Sequence, residues 1–364
     1  MNRAAEPGPP RYDWKGSTPP RMPPPLNPLV AALVVTGMVG LGFVGTRGLM
    51  AFELPNLDPS EAALSRRAPR HLWRSVRGKH WQIVSAELEE PSVTDLREGT
   101  RGGCGVGMVE VRGAMLVEPD DNPYADERID RMQQRTCVDW IQREYPERCA
   151  RFDRDAWLAA SAKLERKPMH FCIDRLEYPN LAGQYPLVYV SWYEAEQLCE
   201  EQGKRLCSED EWTFACEGEE GRPYPYGDGY VRDPEACVTD QPWTAYDQRA
   251  MTPRDGDAAG REMDRLWRGK PSGSQPACRS TFGVYDMTGN IDEWTTSVRA
   301  GERPSILKGG YWGPVRTRCR PTTRSHDQNH TFYQQGFRCC QDAGGEPPRA
   351  RPVSGMPRLA PAAR

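Results

Sequence analysis

Two short stretches carry the clearest helical pattern in the chain. Ser191 and Glu194 form a capping-box pair, in which the hydroxyl accepts from a first-turn amide and the carboxylate reaches back. Trp192, Ala195, Leu198 and Cys199 then recur at helical spacing until Gly203 supplies a left-handed terminator. The pattern repeats at once with Ser208 and Glu211 as cap partners, Trp212, Ala215 and Cys216 on one face, and Gly218 as the stop. Each predicted helix therefore turns a cysteine to its buried side. Further upstream, Ile129, Met132, Thr136, Cys137, Trp140 and Ile141 fit a third helical face. The N-terminus has a different pattern: no charged residue occurs from 22 to 46, and residues 29–45 are apolar apart from Thr36 and scattered glycines. That run predicts a spanning helix over 29–46, at the short end of the roughly 17–25 residues a bilayer needs. It exceeds the usual apolar core of a cleaved signal and no small-residue cleavage pattern follows, so a cleaved leader and a buried core helix rank behind an uncleaved anchor.

Flanking charge sets the orientation of such a span. Arg11, Lys15 and Arg21 precede it and only Arg47 follows closely, which places the N-terminus on the cytoplasmic side. Cysteine usage agrees: residues 1–103 contain none, and all 12 lie between Cys104 and Cys340. Thiols at that density are stable as disulfides in an oxidising compartment. A structural zinc site is the alternative use, but no C-x-x-C pair occurs and Cys339 and Cys340 are adjacent. Proline is concentrated at the ends, with nine residues in 1–28 and five in 343–364. The expected organisation is a Pro-rich cytoplasmic tail (1–28), a transmembrane anchor (29–46), a juxtamembrane linker (47–101), an exported disulfide-rich domain (102–342) and a disordered Pro/Arg tail (343–364). With 48 Lys+Arg against 51 Asp+Glu there is no basic field for nucleic acid, so none is expected as a partner.

The runs PLVYVSW from Pro186, GKRLCSEDEWTFACEG from Gly203, YPYGDG from Tyr224, FGVYDMTGNIDEW from Phe282, LKGG from Leu307 and GFRC from Gly336 occur in one order. Together they make residues 165–342 similar to the formylglycine-generating enzyme, or sulfatase-modifying factor, family. The resemblance implies an α+β domain of irregular C-type-lectin-like fold, low in regular secondary structure. Residues 102–167 lie outside these blocks, and Cys104, Cys137 and Cys149 suggest that the segment is stapled to the domain.

Members that make formylglycine hold copper and engage substrate with two cysteines shortly after the Gly-Gly turn. Here Lys308-Gly309-Gly310 is followed by a shorter segment with a single cysteine, Cys319. The resemblance places Cys319 beyond both catalytic positions and implies bridges Cys216 to Cys319 and Cys199 to Cys339. A linear Cu(I) site needs two thiolates, so copper is not expected, and iron has no added helical domain to supply its histidines. Residual catalytic candidates are Cys319, should it be free and work with Cys278 or Cys340, and the pair His326 and His330, whose H-x-x-x-H spacing suits a metal only on a helix. Thr331 argues against that helix, and no third ligand is evident.

An octet from Asp286 to Glu293 offers carboxylates at both ends of a glycine bend. On composition alone it reads as an acidic turn. The resemblance implies a structural calcium on Asp286, Gly289, Ile291 and Glu293, and hard oxygen donors suit that ion. Trp312, Arg316, Arg318, Arg320, Arg324 and Tyr333 surround the expected groove; clustered Arg and aromatics suit an extended peptide, an acidic glycan or a carboxylate, or else merely decorate a strand face. The expected function is a membrane-anchored, exported, non-catalytic binding or scaffold module, with an active metal-dependent oxidoreductase as the alternative and a lectin-like glycan binder behind both.

Overall fold

The computed structural model describes residues 72–76, 80–84, 103–117, 125–254, 256–299 and 302–344. The expected tail at 1–28, the span at 29–46, most of the linker and nearly all of the C-terminal tail lie outside them. Among the described residues no helix is long and apolar enough to cross a membrane. The chain divides into two units after residue 66, and only the second contains described residues.

Strand β1 (Leu72–Val76) pairs antiparallel with β2 (His80–Val84). The main body begins with β3 (Met108–Val117), α1 (Ala125–Gln134), β4 (Cys137–Gln142), β5 (Arg148–Phe152), α2 (Arg154–Ser161) and β6 (Glu165–Asp174). It continues through α3 (Trp192–Glu201), β7 (Arg205–Leu206), α4 (Glu209–Glu217), α5 (Asp257–Leu266), β8 (Asp292–Thr296), β9 (Ser305–Lys308), β10 (Thr322–Thr323), β11 (Gln335–Phe337) and β12 (Cys339–Asp342). One four-stranded sheet has the order β3-β6-β12-β7 and another the order β10-β9-β8-β11, in which β11 runs parallel to β8. Long irregular stretches join them, as the resemblance implied.

The two capping boxes form in full. Ser191 accepts from the Glu194 amide while Glu194 accepts from the Ser191 amide, and Ser208 and Glu211 repeat the exchange. Helix α4 nevertheless differs from an amphipathic surface helix, since all nine of its residues are buried. Trp212, Phe214 and Ala215 pack with Val109, Val111, Phe171 and Ile173 of β3 and β6 in the main core. Its four carboxylates are each neutralised: Glu209 by Arg324, Asp210 by Lys167, Glu211 by Arg205 and Glu217 by Arg320. A helix with acids on every side can be buried only when each finds a cation, because an unpaired buried charge is costly.

The third expected helix is corrected. Helix α1 stops at Gln134, where the Thr136 hydroxyl and amide both donate to the Gln133 carbonyl, at 2.7 and 2.9 Å. Cys137–Gln142 then continues as β4, whose Val138, Trp140 and Ile141 suit a pleated surface better than a helix. Cys137 lies opposite Phe152 and bonds Cys149, so these two cysteines close their own hairpin. They do not staple it to the family-like domain; Cys104, bonded to Cys172 on β6, does that together with the β3–β6 ladder.

Candidate functional site

All 12 cysteines lie within described segments and all are bridged: 104–172, 137–149, 199–339, 207–340, 216–319 and 237–278. The pairings of Cys199 with Cys339 and Cys216 with Cys319 are those the resemblance implied. Cys319 is fully buried and bonded to Cys216 of α4, so it offers no thiol, and neither Cys278 nor Cys340 is available to assist it. The donor set does not fit copper: a soft Cu(I) centre needs two thiolates and this chain has no free one.

The turn after β9 places Gly309 and Gly310 at φ +86° and +71°. A Cβ on Gly309 would stand 2.9 Å from the Met287 carbonyl, and one on Gly310 2.8 Å from Val315 Cγ2, so only glycine brings this backbone so close. The turn forms one side of a cavity of about 130 Å³ whose other lining residues include Tyr145, Pro146, Asp292, Leu307, Val315 and Arg316. Tyr145 and Pro146 come from the β4–β5 connection, across from Arg316, whose guanidinium sits 4.9 Å from the centre of the Tyr145 ring. Asp292 opens β8 with its carboxyl set into the wall of this cavity. Burial pushes its carboxyl up to about 7, against the Gly310 amide that donates to it; Glu293 adds to the rise and Arg316 opposes it.

The expected ligand-groove list requires correction. Trp312 and Tyr333 are 2% and 3% exposed and belong to an aromatic core with Trp267, Tyr185 and Tyr311. Arg318 is buried against Asp130 at 2.7 Å and the Gln133 side-chain carbonyl at 2.9 Å. Arg320 makes a two-pronged pair with Glu217, at 2.5 and 2.6 Å, and donates to the Leu116 carbonyl. Arg324 joins Glu209 to Glu302. Of the six residues, Arg316 alone lines the cavity beside the Gly-Gly turn. Arg318, Arg320 and Arg324 do not merely decorate a strand face; each neutralises a carboxylate of the interior.

His326 and His330 do meet, but without a helix: their rings stack with centroids 3.9 Å apart. His330 Nδ1 lies 3.1 Å from the Gln335 side-chain oxygen, and the His326 carbonyl accepts from Ser305. Burial, with His330 and Arg303 nearby, lowers His326 to about 4. Among the described residues no group of three or more His, Cys, Asp or Glu is arranged to hold a metal.

The acidic octet bends at its glycine, with Asp286 at φ +56° and Gly289 at φ +78°. Glu293 gives both oxygens to Arg338, at 2.6 and 2.7 Å, and one also to the Trp212 indole at 2.9 Å. Asp286 accepts from the Gly273 amide, while Glu177 accepts from Asn290 and Ser272. Burial raises Asp286 to about 7, and burial with Asp286 and Glu293 raises Glu177 well above the ordinary range. Arg338 thus pairs with Glu293, while the Asp286 and Glu177 carboxyls hold their protons more tightly than free acids do. Hard oxygens are the donors calcium takes, but Glu293 is already engaged and calcium would have to displace protons from the other two carboxyls.

Asp292, Tyr145 and Pro146 were not selected from sequence. Asp292 was accessible to inspection, because strand alternation sends it to the face opposite Glu293. Tyr145 and Pro146 lie outside the family-like blocks, and nothing local points them toward residues 309–316.

The profile described as "Sulfatase-modifying factor enzyme 1-like domain" matches residues 159–343. The "Inactive C-alpha-formylglycine-generating enzyme 2" of Bos taurus is 32% identical over 173 residues, covering 45% of this chain and 52% of the relative. The "Formylglycine-generating enzyme" of Mus musculus is 27% identical over 180 residues, covering 44% and 45%. The chain spans about half the length of these curated relatives. Among solved structures, "Structure of PvdO from Pseudomonas aeruginosa" aligns with a TM-score of 0.38 at 17% identity, covering 65% of this chain and 94% of that one.

Proposed function

The chain belongs to the sulfatase-modifying factor enzyme 1-like domain family, and on that premise we propose that it is a non-catalytic member, anchored by residues 29–46 and exported, that binds a ligand in the groove between the Gly309–Gly310 turn and Tyr145. The bonding of Cys319 to Cys216 carries this reading, since the single cysteine of the segment that follows the turn is removed from thiol chemistry. The word "Inactive" in the name of the bovine relative agrees with it. Six bridges and the cationic flank of residues 11–21 support export with the N-terminus inside. Calcium, if held near Asp286, serves the fold by neutralising buried carboxyls.

The test is incubation of the full-length chain, in detergent, with copper, oxygen and a cysteine-containing peptide. No titratable thiol in the denatured, unreduced protein and no aldehyde in the peptide are expected. Aldehyde formation above the copper-only control overturns the non-catalytic reading.

A further inference from the structure

A second depression, of about 310 Å³, adjoins the groove and shares Arg316 and Pro321 with it. Its opposite wall comes from outside the family-matched segment: Arg131 and Gln134 on the last turn of α1, and Glu147 just beyond the hairpin tip. Four arginines line it, but their charges are not equivalent. Arg320 and Arg324 are committed to Glu217, Glu209 and Glu302, and the acidic wall residue Asp130 is neutralised by Arg318. Among the described residues no ion pair engages Arg131 or Arg316. Arg131 is exposed, and Arg316 is steadied by the Tyr145 ring. One oxygen of Glu147 is buried and accepts no hydrogen bond.

The depression therefore presents two available guanidiniums and one carboxylate oxygen in need of a donor. A carboxylate answers the guanidiniums through charge-assisted hydrogen bonds, and an N–H answers Glu147. A sulfated or uronic glycan also offers hydroxyl donors for Glu147, but it lays repeated anions along the depression beside Glu147 and Asp292, which repel them. An extended protein segment supplies both, with an Asp or Glu side chain for the arginines and a main-chain amide for Glu147. We infer that this depression is an acidic-side-chain subsite and that the groove's ligand is an extended protein segment carrying Asp or Glu beside the residue seated at the Gly-Gly turn. The inference rests on the reading of the groove as a ligand site.

Selection of a degenerate decapeptide library by the immobilised full-length chain tests it, with the central residue fixed in turn as Asp, Glu, Asn or Gln and with heparin as competitor. Acidic pools are expected to be retained about tenfold over their amides, an advantage that shrinks with salt. The advantage disappears in Arg131→Ala and Arg316→Ala, whose melting temperatures stay at the parent value. Retention of amide pools equal to acidic pools overturns the subsite and leaves the groove standing. Peptides that are not retained while heparin binds and is lost in the same variants overturn the protein ligand in favour of a glycan. Retention of neither probe overturns both the subsite and the groove reading.

Discussion

Cys319 is bonded to Cys216, and the residues that follow them, Arg320 and Glu217, form an ion pair at 2.5 Å. A covalent bond and a buried charge pair thus join α4 to the segment after the Gly-Gly turn at successive positions. The family's reactive region is tied down here. Replacing both cysteines by serine is expected to cost about 3–5 kcal/mol in denaturant unfolding, as for a bridge closing a loop of this length. No oxidase activity is gained; a variant that oxidises a peptide cysteine contradicts the structural role.

Arg320→Met removes the cation that pairs with both oxygens of the fully buried Glu217. A loss of about 3–5 kcal/mol is expected, and the double change Arg320→Met with Glu217→Met recovers most of it. Urea unfolding of the two variants checks this. Equal stabilities would show that the single charge is tolerated through water or relaxation.

Trp312→Ala and Arg316→Ala separate core from groove. Trp312 packs on Trp267 with ring centres 4.7 Å apart, so its removal is expected to cost about 3–5 kcal/mol through the cavity it leaves. Arg316→Ala changes stability by less than about 0.5 kcal/mol, as an accessible substitution does. Calorimetry gives both values, and reversal of the order would return Trp312 to the surface.

The His326 value of about 4 lies below the 6.5 of an unfolded imidazole, so the unfolded chain binds more protons between those limits. Stability from this site is full above pH 6.5 and is lost as pH falls toward 4. After allowance for solvent, about 1 kcal/mol is expected to disappear between pH 7 and 5, and His326→Gln flattens that part of the profile. A variant that melts with unchanged pH dependence would place the titration elsewhere.

Calcium near Asp286 is expected to raise the melting temperature through mass action on the folded state. Scans with EDTA and with excess calcium measure it. Identical curves would leave the acidic turn to Arg338 and its hydrogen-bond donors, without calcium.

Helix starts were legible because a capping box is a local exchange: Ser208 and Glu211 are three positions apart and need nothing else to recognise each other. The family blocks were legible for the same reason, as contiguous runs around tight turns such as Gly309–Gly310. The break after Gln134 was not, because Ile129 through Ile141 keep a helical spacing while Cys137 is drawn into a hairpin with Cys149. Arg318 and Arg320 were misplaced on the groove for a related reason. Their partners Asp130 and Glu217 stand 188 and 103 positions away, and no periodicity reports a charge pair across that distance.

The sequence by itself determined the family, the two capped helices and the absence of a cysteine pair after the Gly-Gly turn, since each is written in neighbouring residues. The tertiary structure alone decided which charges face the groove. Burying α4 on all sides requires a cation for each carboxylate, and Arg320 and Arg324 are taken for that purpose. Only Arg316 is left at the turn, facing a wall supplied by Tyr145, Pro146 and Glu147 from outside the matched domain.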